Sequence, residues 1–124
     1  MEHSNNGYIG AYKEIREKIV EYSRLMYNDR LVSATSGNIS MRLPDRSDAF
    51  AITPSSESYL TMTTDRIVIM TVDGEILGCP RDGRPSSEWR LHAELYKAKP
   101  DVGAIVHTHS PYATAFAVNR ETIP

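Results

Sequence analysis

The sequence has no long apolar run, little surplus of either charge and a single cysteine. Its longest apolar stretches are about four residues, around 67–70 and 104–106, far short of a membrane-spanning helix. The opening seven residues are polar and lack the apolar core of a signal peptide. Fourteen basic against sixteen acidic residues leave a formal net charge of −2, which gives no basic footprint for nucleic acid. No block of like charge marks a membrane surface. Cys79 alone cannot form an internal disulfide, so a reducing compartment, the cytoplasm, is the expectation. There is no Gly-x-x-x-x-Gly-Lys-Ser/Thr loop, which argues against a nucleoside triphosphate, and no repeat, low-complexity tract or linker. What remains, 40% apolar and 24% charged over 124 residues, suits one soluble domain with a modest core.

Helices alternate with strands along the chain. Ile9, Tyr12, Ile15, Ile19, Tyr22 and Met26 recur at spacings of three and four, which predicts an amphipathic helix over 8–28 with Glu14, Arg16, Glu17 and Lys18 on its wet face. A small polar segment, 33–40, leads into a strand that includes Ile39, Met41 and Leu43. Residues 44–48 read as a turn, and 50–53 as a strand ended by Pro54. The β-forming run 67–72 closes through Asp73-Gly74 onto 75–77 as a hairpin. A second helix is predicted from Pro85, capped by serine, to about Lys99, where Pro100 stops it. Residues 102–106 then read as a buried strand, and Ser110-Pro111 as the start of a third helix. This order predicts an α/β domain with helices packed on a sheet. The chain ends at Pro124, directly after a helix with few apolar partners, so a domain truncated at its C-terminus is the expectation.

Four short blocks carry possible chemistry. In His107-Thr108-His109 the two imidazoles of a strand project to one face and can share a metal ion, although such pairs also occur as exposed or core histidines. Their place at the end of a strand, before a helix start, is where α/β folds favour ligands. Pro85-Ser86-Ser87-Glu88 puts two hydroxyls and unpaired amides at a helix start, a ready anion site with a carboxylate beside it; helix-start glutamates are also commonly just solvated. Ser36-Gly37-Asn38 and Thr53-Pro54-Ser55-Ser56 are polar turns at strand ends, able to offer donors to a phosphate or to be ordinary turns. Cys79, next to Pro80, reads as a bystander thiol.

Taken in order, these blocks, with His92 a turn after Glu88 and Ser-Pro-Tyr-Ala-Thr after His109, resemble the class II aldolase/adducin family over most of the chain. The resemblance implies an α/β/α sandwich with a mixed central sheet, one catalytic zinc per subunit, a sugar-phosphate substrate and a homotetramer. It implies that Gly37, Asn38, Ser55, Ser56, Ser86 and Ser87 bind the phosphate of dihydroxyacetone phosphate. Glu88 is then the acid/base and a metal ligand in the empty enzyme, with His107 and His109 as the other ligands. The implied reaction is reversible retro-aldol cleavage of a ketose 1-phosphate resembling L-fuculose 1-phosphate. The family usually has glycine where Ser56 stands, as a turn needing positive φ would favour. It also takes a third histidine ligand from a downstream segment that has no counterpart after His109. His3 lies near the N-terminus, and His92 reads as a packing residue of the second helix. Family epimerases usually carry aspartate in place of Glu88. The family's dehydratases keep the glutamate, and its adducin-like scaffolds lose the metal ligands that this chain retains. An inactive fragment is a further alternative.

Overall fold

The computed structural model describes residues 8, 11–32 and 36–108. Five strands, β1 (Asn38–Leu43), β2 (Arg46–Ile52), β3 (Val68–Thr71), β4 (Ile76–Gly78) and β5 (Ala104–His107), form one sheet in the order β4-β3-β2-β1-β5. Among the described residues, helices α1 (Lys13–Asn28) and α2 (Trp89–Ala98) cover its opposite faces. A 3₁₀ turn spans Thr64–Arg66.

The layering follows from period-two alternation along the strands. Ile39, Leu43, Ala49, Ala51 and Ile69 pack with Ile19, Val20 and Met26 of α1. Their neighbours in sequence, Phe50, Ile52, Val68 and Met70, pack with Ala93 and Tyr96 of α2. Strand β3, buried along its whole length, and the buried 49–52 half of β2 therefore read as continuous apolar runs, while each face receives every second residue. Thr71 accepts and donates around Asp73-Gly74, with Gly74 at φ 97°, to close the β3–β4 hairpin.

Several expectations shift. The pairings among the described residues are all antiparallel, where a mixed sheet was expected: tight turns join β1–β2 and β3–β4, and the connection through α2 returns β5 antiparallel beside β1. Helix α1 starts at Lys13, because Tyr12 takes a left-handed conformation at φ 60°. Arg16, expected on the wet face, is buried. Its guanidinium donates to the carbonyls of Ala11, Thr64, Ile67 and Tyr8 and so ties the helix start to the 3₁₀ turn. Tyr22, expected in the apolar stripe, is half-exposed. The turn at 44–48 is shorter than expected, since β2 begins at Arg46. Helix α2 begins at Trp89 rather than Pro85, which is engaged in an isolated bridge with Pro54. Strand β5, expected to be buried, has Ala104 and Val106 exposed because it forms the edge of the described sheet. The expected third helix lies outside the described residues.

Strand register places the site. Asn38 faces His107, and Ser40 faces Ile105, across the β1–β5 pair. Directly opposed residues share a face, so Asn38, Ser40 and His107 lie on the α2 side. Arg42, two residues on, donates to the carbonyls of Tyr96, Lys99 and Val102 and stacks on the Tyr96 ring at 4.6 Å. A cation at the C-terminal end of α2 complements its dipole and fixes the helix against β1.

Candidate active site

Three segments meet at one end of the sheet. In the first, Gly37 has φ 82°, and a Cβ there would lie 2.3 Å from Val32 Cγ1 and 3.0 Å from the His107 carbonyl oxygen. Only glycine satisfies both the backbone conformation and the close approach. The Tyr59 hydroxyl donates to the carbonyls of Gly37 and Ser36 and holds this turn. Burial, with the negative charge of Glu88 adding to it, pushes the Tyr59 phenol up to about 12, so it remains a donor. The second and third segments are laced together: Ser55 N–H donates to the Arg84 carbonyl and Ser86 N–H to that of Thr53, both at 2.9 Å. Pro54 and Pro85 occupy the paired positions between these bonds, where no N–H is required. Thr53 also joins the first segment, through N–H to the Ile39 carbonyl at 3.1 Å and Oγ1 accepting from Ile39 N–H at 3.3 Å. Ser56 lies in the left-handed region at φ 58°, where glycine would be at ease.

Glu88 stands at the N-cap position of α2, one residue before the first turn in which the sequence places it. The Ser86 hydroxyl accepts its backbone N–H at 3.2 Å instead of capping the helix. The Glu88 carboxylate accepts from Asn38 Nδ2 at 2.7 Å, and His107 Nδ1 lies 2.9 Å from the same oxygen, Oε1. The His107 and Glu88 side chains are 28% and 44% exposed, which leaves both within reach of a small molecule.

Behind Asn38 lies a buried polar chain. His92 Nε2 hydrogen-bonds Asn38 Oδ1, and His92 Nδ1 meets Ser40 Oγ at 2.6 Å. Ser40 Oγ in turn meets the Tyr96 hydroxyl at 2.8 Å. Asn38, Ser40, His92 and Tyr96 are all at most 2% exposed. Burial lowers the His92 imidazole to about 4; the neighbouring His107 acts in the same direction and Glu88 against it. His92 is therefore neutral near pH 7.

The expected residues Gly37, Asn38, Ser55, Ser56, Ser86, Ser87 and Glu88 line one cleft of about 260 Å³. His107 reaches Glu88 from β5, and His109 lies outside the described residues. His92 departs from the packing role read from the sequence, since both ring nitrogens are engaged in polar bonds. Ser40, Tyr59 and Tyr96 were not singled out in the sequence. The available signal was spacing: His92 and Tyr96 recur every four residues after Glu88, on one helical face, and Asn38 and Ser40 alternate on one strand face. Among the described residues no group of three His, Cys, Asp or Glu side chains converges as a metal site. Cys79 is buried away from this cleft, and burial raises its thiol, as suits a bystander. No helix among the described residues is long and apolar enough to cross a membrane.

Comparison with known proteins points the same way as the geometry. The 5-methylthioribulose-1-phosphate/5-deoxyribulose-1-phosphate aldolase of Escherichia coli is 39% identical over 112 residues, which are 90% of this chain and 49% of that protein. A probable L-ribulose-5-phosphate 4-epimerase of Mycoplasma pneumoniae is 39% identical over 111 residues, 90% of this chain and 45% of that protein. The solved structure of an L-fuculose 1-phosphate aldolase superposes with a TM-score of 0.81 at 31% identity, covering 93% of this chain and 53% of that one. The chain thus spans about half the length of the curated relatives it matches. Residues 17–124 match the Class II Aldolase and Adducin N-terminal domain, and the chain belongs to that family.

Proposed function

We propose that this chain carries the phosphate-binding and acid/base half of a zinc-dependent aldolase that cleaves a ketose 1-phosphate to dihydroxyacetone phosphate and an aldehyde. The observation that carries the reading is Glu88, a carboxylate held at a hydroxyl-lined cleft, with Asn38 and His107 both within 2.9 Å of one of its oxygens. The cleft offers the hydroxyls of Ser55, Ser56, Ser86 and Ser87 and the second N–H of the Asn38 amide to a phosphate. The substrate is thereby anchored by one end, and its reacting carbon is presented to Glu88. Glu88 takes the proton from the carbon beside the carbonyl in condensation and returns it in cleavage.

The donor chemistry at Glu88 and His107 fits zinc. A carboxylate oxygen and an imidazole nitrogen that already meet at 2.9 Å are both donor types that zinc accepts and would hold it here. Glu88, His107 and His109 are the residues we assign to it, with a further donor supplied from elsewhere in the assembled enzyme. The chemistry that such an ion supplies is Lewis-acid polarisation of the substrate's carbonyl. We extend the reading to a cytoplasmic homotetramer, which light scattering tests.

The test is zinc content together with turnover of L-fuculose 1-phosphate and 5-deoxyribulose 1-phosphate, with dihydroxyacetone phosphate as the detected product. Glu88→Gln is expected to retain substrate binding and to lose about 100-fold or more of turnover. Epimerisation or dehydration without carbon–carbon cleavage would remove the aldolase reading. Wild-type turnover in Glu88→Gln would remove the acid/base assignment.

A further inference from the structure

We infer that His92, which touches neither cleft nor substrate, is a positioning residue that fixes the Asn38 amide and through it aims the Glu88 carboxylate. The inference rests on the reading of Glu88 as the acid/base, and it is carried by the directionality of one buried chain of hydrogen bonds.

The direction follows from what each group can do. An ionised carboxylate only accepts, so the Asn38 atom at 2.7 Å from Glu88 Oε1 is the donor Nδ2. The other amide atom, Oδ1, then faces His92 Nε2, and since a carbonyl oxygen only accepts, Nε2 carries the imidazole proton. The neutral ring has one N–H, so Nδ1 accepts from the Ser40 hydroxyl at 2.6 Å. Ser40, having donated, accepts from the Tyr96 hydroxyl at 2.8 Å. Every donor from Tyr96 to Asn38 points toward Glu88, and a single choice at the carboxylate sets all four bonds.

Alternatives are costly at this depth. Turning the Asn38 amide by 180° would set its carbonyl against the carboxylate and its NH₂ against the Nε2 proton. Protonating His92 would place two donors on the ring, and Nδ1–H would displace the Ser40 hydroxyl proton; the burial that lowers its imidazole to about 4 opposes this as well. The amide is thus held in one of its two orientations by groups that do not meet the substrate. Helix α2 supplies both ends of the device, because Glu88 precedes its first turn while His92 and Tyr96 follow on the buried face. A carboxylate that must meet one carbon of a bound substrate benefits from having its conformation fixed beforehand.

Two amide substitutions separate this role from packing. In His92→Gln the side-chain nitrogen reaches the place of Nε2 and can still donate to Asn38. In His92→Asn the shorter side chain reaches only the Nδ1 side. The measurements use the protein as its gene encodes it, loaded with zinc. His92→Asn is expected to lower kcat about tenfold or more with KM changed less than about twofold, and His92→Gln to restore most of that loss. Nitrogen-15 NMR of the imidazole is expected to show the Nε2–H neutral tautomer in the wild type from about pH 6 to 8. An Nδ1–H tautomer or a charged ring in that range would overturn the inference. So would equal kcat in the two variants, whether at the wild-type level or reduced in step with thermal stability. Glu88→Gln is the control: should it turn over normally, the acid/base reading fails, and the tautomer alone then decides whether the chain is ordered as inferred.

Discussion

Burying a neutral imidazole under a sheet makes the fold acid-sensitive in a way that one substitution can isolate. In the unfolded chain His92 titrates at its ordinary 6.5, and in the folded protein at about 4. Between these values the unfolded chain binds more protons, so acidification favours unfolding. The stability contributed by the neutral ring is present in full above pH 6.5 and is lost as pH falls toward 4. At about 1.36 kcal/mol per pH unit the loss is about 2 kcal/mol at pH 5 and about 3 kcal/mol at pH 4. The ring has no solvent-exposed surface, so water does not screen the effect. With a urea dependence of about 1–2 kcal/mol per molar for a domain of this size, the midpoint should fall by about 1–2 M between pH 7 and pH 5. Surface carboxylates titrate too, but they are common to the wild type and His92→Gln. The informative quantity is therefore the difference between the two midpoint-against-pH curves, measured by urea unfolding. The curves should converge on acidification, because the glutamine side chain has no proton to gain. Parallel curves from about pH 7 to pH 5 would refute both the neutral buried state and the chain of donors built on it.

Two backbone predictions bear on the cleft itself. Gly37→Ala would add a methyl 2.3 Å from Val32 and impose a left-handed φ on alanine, at a cost of at least about 2 kcal/mol. Thermal unfolding should show that loss, and zinc retention should fall with it because the His107 carbonyl is the next atom in the way; wild-type stability would contradict the packing. Ser56→Gly should raise stability by about 0.5–1 kcal/mol, since serine at φ 58° carries a steric cost that glycine does not. A melting temperature unchanged or lowered in this variant would show that the Ser56 hydroxyl contributes more than the backbone conformation costs.

Legibility in the sequence tracked how local the determining physics was. Strands β1 and β3 and the Asp73-Gly74 hairpin were readable because alternation in β1, a β-forming apolar run in β3 and a two-residue turn are all written in neighbouring positions. The end of α1 at Asn28 was readable for the same reason. Its start was not: the burial of Arg16 there depends on carbonyls of residues 64 and 67, about fifty positions away. Likewise Pro85 looked like a helix start, since a capping serine and a first-turn glutamate follow it. It is drawn instead into a bridge with Pro54, which a linear reading cannot anticipate. The cleft residues, spread over three short blocks, were legible as one site only because a family resemblance grouped them.

The buried chain was the least legible part of the site. A histidine, a serine and a tyrosine on apolar faces look like packing residues, because sequence displays amphipathic faces but not hydrogen-bond partners across them. Burial of these groups is tolerated only when each bond is made, since an unpaired buried donor or acceptor costs about 1–3 kcal/mol. Tyr96 faces Ser40 across 56 positions and His92 faces Asn38 across 54. Both separations span β1 to α2 and therefore exist only once the sheet has formed and Arg42 has locked the C-terminal end of α2 onto β1. The orientation of Glu88 is in this sense a product of tertiary folding: the helix brings the carboxylate to the cleft, and the polar layer beneath the helix decides which way it points.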